Sequence, residues 1–156
     1  MKERVVDTRE YVSILRGIAE EGKVVSLRIA GSSMSPFLCH ERDWIYFTRP
    51  DRALRRGDMV FYQRDTGQYV MHRIYQIRGK EYYMLGDAQT CVEGPLRREQ
   101  IFALIVQVKR KGKILRPGNF WWEFFGRVWI RIRPLRPLAS RLYGVFSVFR
   151  RKKIHR

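Results

Sequence analysis

The sequence predicts a mainly β protein: a small antiparallel β domain, preceded by a helix and followed by a basic, aromatic helical tail. Apolar residues keep a helical period as far as Gly22 and a period of two after it. Six β-type runs then succeed one another across short turn sequences, without the strand–helix alternation of a doubly wound sheet. Charge is divided unevenly as well. Residues 1–108 carry 17 basic and 14 acidic side chains, whereas 109–156 carry 15 basic and one acidic, Glu123.

Each element has a local reason. Asp7-Thr8-Arg9-Glu10 reads as a capping box, and Tyr11, Ile14, Leu15 and Ile18 recur at helical spacing before the Gly22 stop, which predicts a helix over 8–21. Val25, Leu27 and Ile29 alternate with Ser26 and Arg28 as in a half-buried strand. Further strands are predicted at Trp44–Thr48, Met59–Arg64, Tyr69–Ile77, Glu81–Leu85 and Ile101–Lys109. Asp65-Thr66-Gly67 and Arg78-Gly79-Lys80 sit where hairpin turns would join neighbours. The segments are therefore 1–22 (amphipathic helix), 23–116 (β domain) and 117–156 (basic amphipathic tail).

A chain of 156 residues with 45% apolar content builds one packed core. This composition excludes a disordered tail, a disulfide-stapled miniprotein and a polytopic membrane protein. Cys39 and Cys91 are too few for a closed zinc site, although they are enough for one disulfide. No metal or organic cofactor is implied. Met1–Glu10 is studded with charge and no apolar h-region follows, so no signal peptide is expected. The longest apolar run of the tail, Leu142–Phe149, has 8 residues and is too short to span a bilayer.

The net charge of +17 speaks of partners rather than fold. In the tail, Trp121, Trp122, Phe124, Phe125 and Trp129 stand among Arg127, Arg131 and Arg133, and Arg150-Arg151-Lys152-Lys153 comes near its end. Aromatic rings beside guanidinium groups suit an anionic membrane surface, which predicts peripheral attachment through 117–156 on the cytoplasmic face. Nucleic acid is the rival partner. In a third arrangement Trp121–Trp129 packs back on the β domain and leaves Leu138–Arg156 to bind.

Three stretches carry candidate chemistry: Gly31-Ser32-Ser33-Met34-Ser35-Pro36, Arg56-Gly57-Asp58-Met59-Val60 with Met71-His72-Arg73-Ile74, and Leu85-Gly86-Asp87 with Glu93 six residues later. A serine in a Gly/Ser turn before proline can be exposed, and a strand histidine can take its proton if the fold brings them together. A carboxylate would then orient the imidazole. The plainer readings are that Asp43, Asp58 and Asp87 satisfy turn amides, that Glu93 is a loop carboxylate, and that His40 and His155 are solvated. Cys91 reads as an ordinary thiol. Met34 and Phe37 either line a groove or belong to the core.

Taken in order, these stretches resemble the type I signal peptidase family, most closely its endoplasmic-reticulum and archaeal branch, over roughly residues 25–108. The resemblance implies a serine endopeptidase with Ser33 as nucleophile, His72 as general base, Glu93 or Asp87 as the orienting acid, and the Ser33 amide in the oxyanion hole. It places Ser32, Met34 and Pro36 beside the substrate, which would be a leader or precursor peptide with small residues before the scissile bond. Three departures stand out. Gly31 replaces the serine whose hydroxyl assists the oxyanion, a loss that can cost ~10²–10³ in rate unless Ser32 substitutes. Arg42-Asp43 stands where the family has a later Gly-Asp, and the family's N-terminal membrane anchor is missing. The alternatives are a self-cleaving regulator like the SOS-repressor peptidases, which share this fold but use a lysine base, and a catalytically inactive peptide- or membrane-binding module.

Overall fold

The computed structural model describes residues 8–138 and Arg141. Helix α1 (Thr8–Glu20) buries Val12, Leu15 and Ala19 along one face. It ends where Gly22, at φ +87°, donates its amide to the Ala19 carbonyl at 2.9 Å. The Asp7 cap expected from the sequence lies outside the described residues. Eight strands follow: β1 (Val25–Arg28), β2 (Trp44–Thr48), β3 (Met59–Gln63), β4 (Tyr69–Arg78), β5 (Glu81–Leu85), β6 (Glu93–Arg97), β7 (Ile101–Arg110) and β8 (Lys113–Leu115).

They form one antiparallel sheet in the order β1-β2-β7-β3-β4-β5-β6, with β8 also paired to β7. In the β3–β4 hairpin, Gln63 pairs with Tyr69 and Met59 with Arg73, which sets Val60 opposite His72. Neighbouring residues of β3 point to opposite faces, so Met59 and Phe61 enter one core cluster while Val60 and Tyr62 enter another. The larger cluster lies under α1 and includes Phe37, Phe47, Phe61 and Phe102.

The mainly β architecture agrees with the sequence, but β6 and β8 were not foreseen. Residues 90–95 read as a loop because of Gly94 and Pro95. Pro95 is accommodated since β6 is an edge strand, where a missing N–H need not break a ladder. At three residues, β8 is too short to show a period.

The segment set apart as a tail begins with α2 (Phe120–Glu123), capped by the Asn119 side chain, which accepts from the Trp121 amide at 3.0 Å. It continues through a π turn at Phe124–Val128 and a 3-10 stretch at Trp129–Leu135. Phe125, Trp129 and Ile130 are buried, and the Phe125 ring lies 4.9 Å from that of Phe37. A Cβ on Gly57 would come within 2.5 Å of the Gly126 carbonyl, so two backbones meet there with no room for a side chain. This stretch packs back on the β domain, as in the third arrangement above. The remainder, including His155 and Arg150–Lys153, lies outside the described residues.

Candidate active site

A groove of about 620 Å³ opens between β1 with its following turn and the outer half of the β3–β4 hairpin. Ser33, Met34 and His72 line it, together with Leu27–Gly31 on one side and Gln68–Met71 on the other. Both sides are strand edges. β1 is the last strand of the sheet, and β4 pairs with β5 only from Arg73 onward, so Tyr69–His72 keep one side open.

Ser33 sits half-buried in a tight turn: Ser35 N–H donates to the Ser32 carbonyl at 3.1 Å, and Leu38 N–H to the Met34 carbonyl at 2.9 Å. The turn is held from both ends. His40 Nδ1 accepts from the Gly31 amide at 2.8 Å, so this exposed histidine has a structural bond that the sequence did not announce. Asp43, fully buried, accepts from the Cys39 and Lys111 amides and from Arg42. Those bonds hold its carboxyl below the usual range despite the opposing effect of burial. Behind Ser33, its carbonyl accepts from Ala88 N–H at 2.9 Å, and a Cβ on Gly86 would lie 2.6 Å from that same oxygen. The Gly86 of the Gly-Asp pair is therefore a close-approach glycine that seats the serine turn.

Asp87 does not reach His72. Its carboxylate is fully buried against the equally buried Arg73 guanidinium, with Arg73 Nε donating at 2.8 Å. Burial pushes the Asp87 carboxyl up, and the charge of Arg73 opposes that. Arg73 Nη1 also donates to the Gly57 carbonyl at 3.1 Å. One guanidinium thus ties together the Arg-Gly-Asp, His-Arg and Gly-Asp pieces, which explains their co-occurrence in the chain.

His72, 3% exposed, meets a different partner. Its Nδ1 lies 3.1 Å from the Tyr62 hydroxyl, which in turn lies 3.0 Å from Glu93 Oε2. An ionised carboxylate only accepts, so Tyr62 donates to Glu93. The phenol has one proton, so His72 Nδ1–H must donate to Tyr62. The imidazole is thereby held with its proton on Nδ1 and a lone pair on Nε2, the state of a general base. Arg64 forms an ion pair with Glu93. Although burial opposes ionisation, the bonds from Arg64 and Tyr62 keep the Glu93 carboxyl below its ordinary value. Burial lowers His72 to about 4 against the pull of Glu93, which keeps the ring neutral at pH 7. Burial and the nearby Glu93 push the Tyr62 phenol well up, so it stays protonated.

Of the predicted residues, Ser33, His72 and Met34 meet at the groove, and Met34 is also buried in the core. Ser32 is exposed and does not line the groove; Pro36 turns toward Arg110, which donates to its carbonyl at 3.4 Å. Ser33 Oγ and His72 Nε2 are not hydrogen-bonded to each other among the described residues. Tyr62 is the residue that the sequence reading missed. The hairpin carries its signal: a turn at 65–67 pairs 63 with 69 and puts Tyr62 diagonal to His72 on one face. Cys39 and Cys91 are free thiols. No described cluster of His, Cys, Asp or Glu could hold a metal ion, and no described helix is long and apolar enough to cross a membrane.

Ser33 and His72 line one groove on an antiparallel β fold, an arrangement compatible with a peptidase. In agreement with this, the family model described as Peptidase S24-like matches residues 2–108, and the chain belongs to that family. This supports the peptidase or self-cleaving-regulator fold rather than the narrower endoplasmic-reticulum and archaeal branch. No curated protein matches the chain.

Proposed function

We propose that the protein is a serine endopeptidase in which Ser33 attacks a peptide carbonyl and His72 manages the protons. His72 Nε2 takes the Ser33 Oγ proton as the C–O bond forms, and the Ser33 amide donates to the developing oxyanion. Collapse of the tetrahedral species breaks the C–N bond, and His72 returns the proton to the leaving amine. Water then attacks the acyl-enzyme with His72 again as base, releasing the acid and restoring Ser33. Throughout, Nδ1–H continues to donate to Tyr62, so the relay to Glu93 needs no rearrangement when the ring becomes charged.

The observation that carries this reading is the His72 imidazole with its Nδ1 held 3.1 Å from the Tyr62 hydroxyl, lining the same groove as Ser33. Among the described residues no lysine lines that groove, which favours His72 over a lysine base. The two open strand edges suit an extended leader or precursor peptide added as a strand, with backbone bonds supplying affinity. Among the described residues Arg9 and Arg28 line the groove, Arg64 does so paired with Glu93, and no carboxylate does, so acidic or neutral segments fit it better than basic ones. The family membership favours cleavage of the chain's own peptide bonds as a second reading.

The test is cleavage of a panel of leader-bearing peptides by wild type, Ser33→Ala and His72→Ala, with the intact mass of the chain followed in the same tubes. Cutting by wild type alone supports the reading, and loss of mass from the chain itself points to self-cleavage. Tight peptide binding with no cleavage by any form leaves a binding module in its place.

A further inference from the structure

The C-terminal helical segment has two apolar faces, and the β domain uses only one. Phe125, Trp129, Ile130 and Arg136 turn inward. Trp129 Nε1 donates to the Asp87 carbonyl at 2.7 Å, and Arg136 Nη1 to the carbonyls of Gly86 and Gln89 at 2.8 and 2.7 Å. On the outside stand Phe120 (69% exposed), Trp121 (45%), Val128 (47%), Leu135 (58%) and Leu138 (59%). Arg127, paired with Glu123 at 2.7 Å, and Arg131 stand exposed between them along the chain. An ordinary surface helix is polar on the side away from the core. Here that side is apolar with arginines interspersed, and it belongs to a stretch, 109–156, with 15 basic and one acidic residue.

We infer that this outer stripe is a docking surface for an anionic bilayer. Trp and Phe rings settle at headgroup depth, Val and Leu reach the acyl boundary, and guanidinium groups meet lipid phosphates. The basic charge of 109–156 adds attraction to an anionic leaflet. A nucleic acid would use the arginines and the two aromatics for phosphates and stacking, but it has no use for Val128, Leu135 and Leu138. The inner face of the same segment grips the 86–89 loop, whose Ala88 amide holds the Ser33 carbonyl. The docked groove would therefore lie close to the lipid surface. Docking goes beyond the peptidase reading and is independent of it.

The experiment is flotation of the full chain with vesicles of phosphatidylcholine alone or mixed with phosphatidylglycerol, repeated with Ser33→Ala so that catalysis plays no part. Wild type and Ser33→Ala should bind the mixed vesicles alike, whereas Trp121→Ser/Leu135→Ser should partition at least about tenfold less. Tryptophan emission should be quenched by brominated lipid, and less so in Trp121→Phe. If the double variant proves unfolded by circular dichroism, that quenching comparison decides. Equal binding by a folded double variant would overturn the inference in favour of the basic charge alone. So would quenching indifferent to Trp121, or binding of single-stranded RNA or duplex DNA by a chain that ignores the vesicles.

Discussion

The Tyr62 hydroxyl lies 3.1 Å from His72 Nδ1, and through it the imidazole feels Glu93 without touching it. A phenol between acid and base keeps the proton on Nδ1 and leaves the carboxylate one bond further from the ring. Tyr62→Phe keeps the ring packing and removes the link. It should lower kcat/KM by on the order of ten- to hundredfold, less than the ~10²–10⁴ that general acid–base catalysis as a whole contributes. The ¹⁵N shifts of the His72 ring should change from a single Nδ1–H form to a mixture. Unchanged shifts would mean that Tyr62 does not set the tautomer.

Because the folded His72 titrates near 4 and an unfolded histidine near 6.5, the unfolded chain binds the extra proton first as pH falls. The stability that goes with a neutral His72 is fully present above pH 6.5 and is lost progressively toward pH 4. The loss should approach about 3 kcal/mol. Urea unfolding of wild type and His72→Gln from pH 7 to pH 4 should show the wild type declining more steeply. In the same window the acid limb of kcat/KM should fall near pH 4 rather than near 6.5.

Gly86→Ala should disturb Ser33, the proposed nucleophile, through its backbone. Its Cβ would arrive 2.6 Å from the Ser33 carbonyl, so the serine turn or the 86–89 loop must shift. Overpacking of this kind costs about 1–3 kcal/mol. Displacement of the nucleophile by even 1 Å can cost on the order of 10²-fold in rate. Thermal unfolding and peptide cleavage measured together should show a modest fall in Tm and a far larger fall in activity.

Asp87→Asn leaves the Arg73 charge buried without its counter-ion, with Arg136 close enough to add repulsion. Loss of one partner from a buried pair costs about 3–5 kcal/mol. Denaturant unfolding should register that cost, while the pH profile of the proposed cleavage by the surviving folded protein keeps its shape. A displaced pH profile would instead assign Asp87 to the orientation of His72.

Much of the fold is legible in the sequence, because it depends on local chemistry. The shift from helical to alternating period locates α1 and six of the strands, since burying one face of a helix or a strand imposes that period. Ser33 and His72 were legible as a pair of residue types. The edge strand β6 was not, because Gly94 and Pro95 are turn residues whose use in a strand depends on having an unpaired neighbour side.

The sequence by itself determined a mainly β chain with a helix in front, a basic segment behind, and a serine turn followed by a strand histidine. Only the tertiary structure decided which carboxylate serves which cation. Asp87 goes to Arg73 and Glu93 to Arg64 and Tyr62, although the two acids stand six residues apart in one loop and strand. The reason is that sequence spacing constrains neighbours along the chain, whereas the partner of a buried charge is whichever opposite charge the sheet register and loop packing bring within about 3 Å. The same holds for the C-terminal segment. Its composition announced apolar and basic residues, and packing against Phe37 and the 86–89 loop decided which of them remain outside.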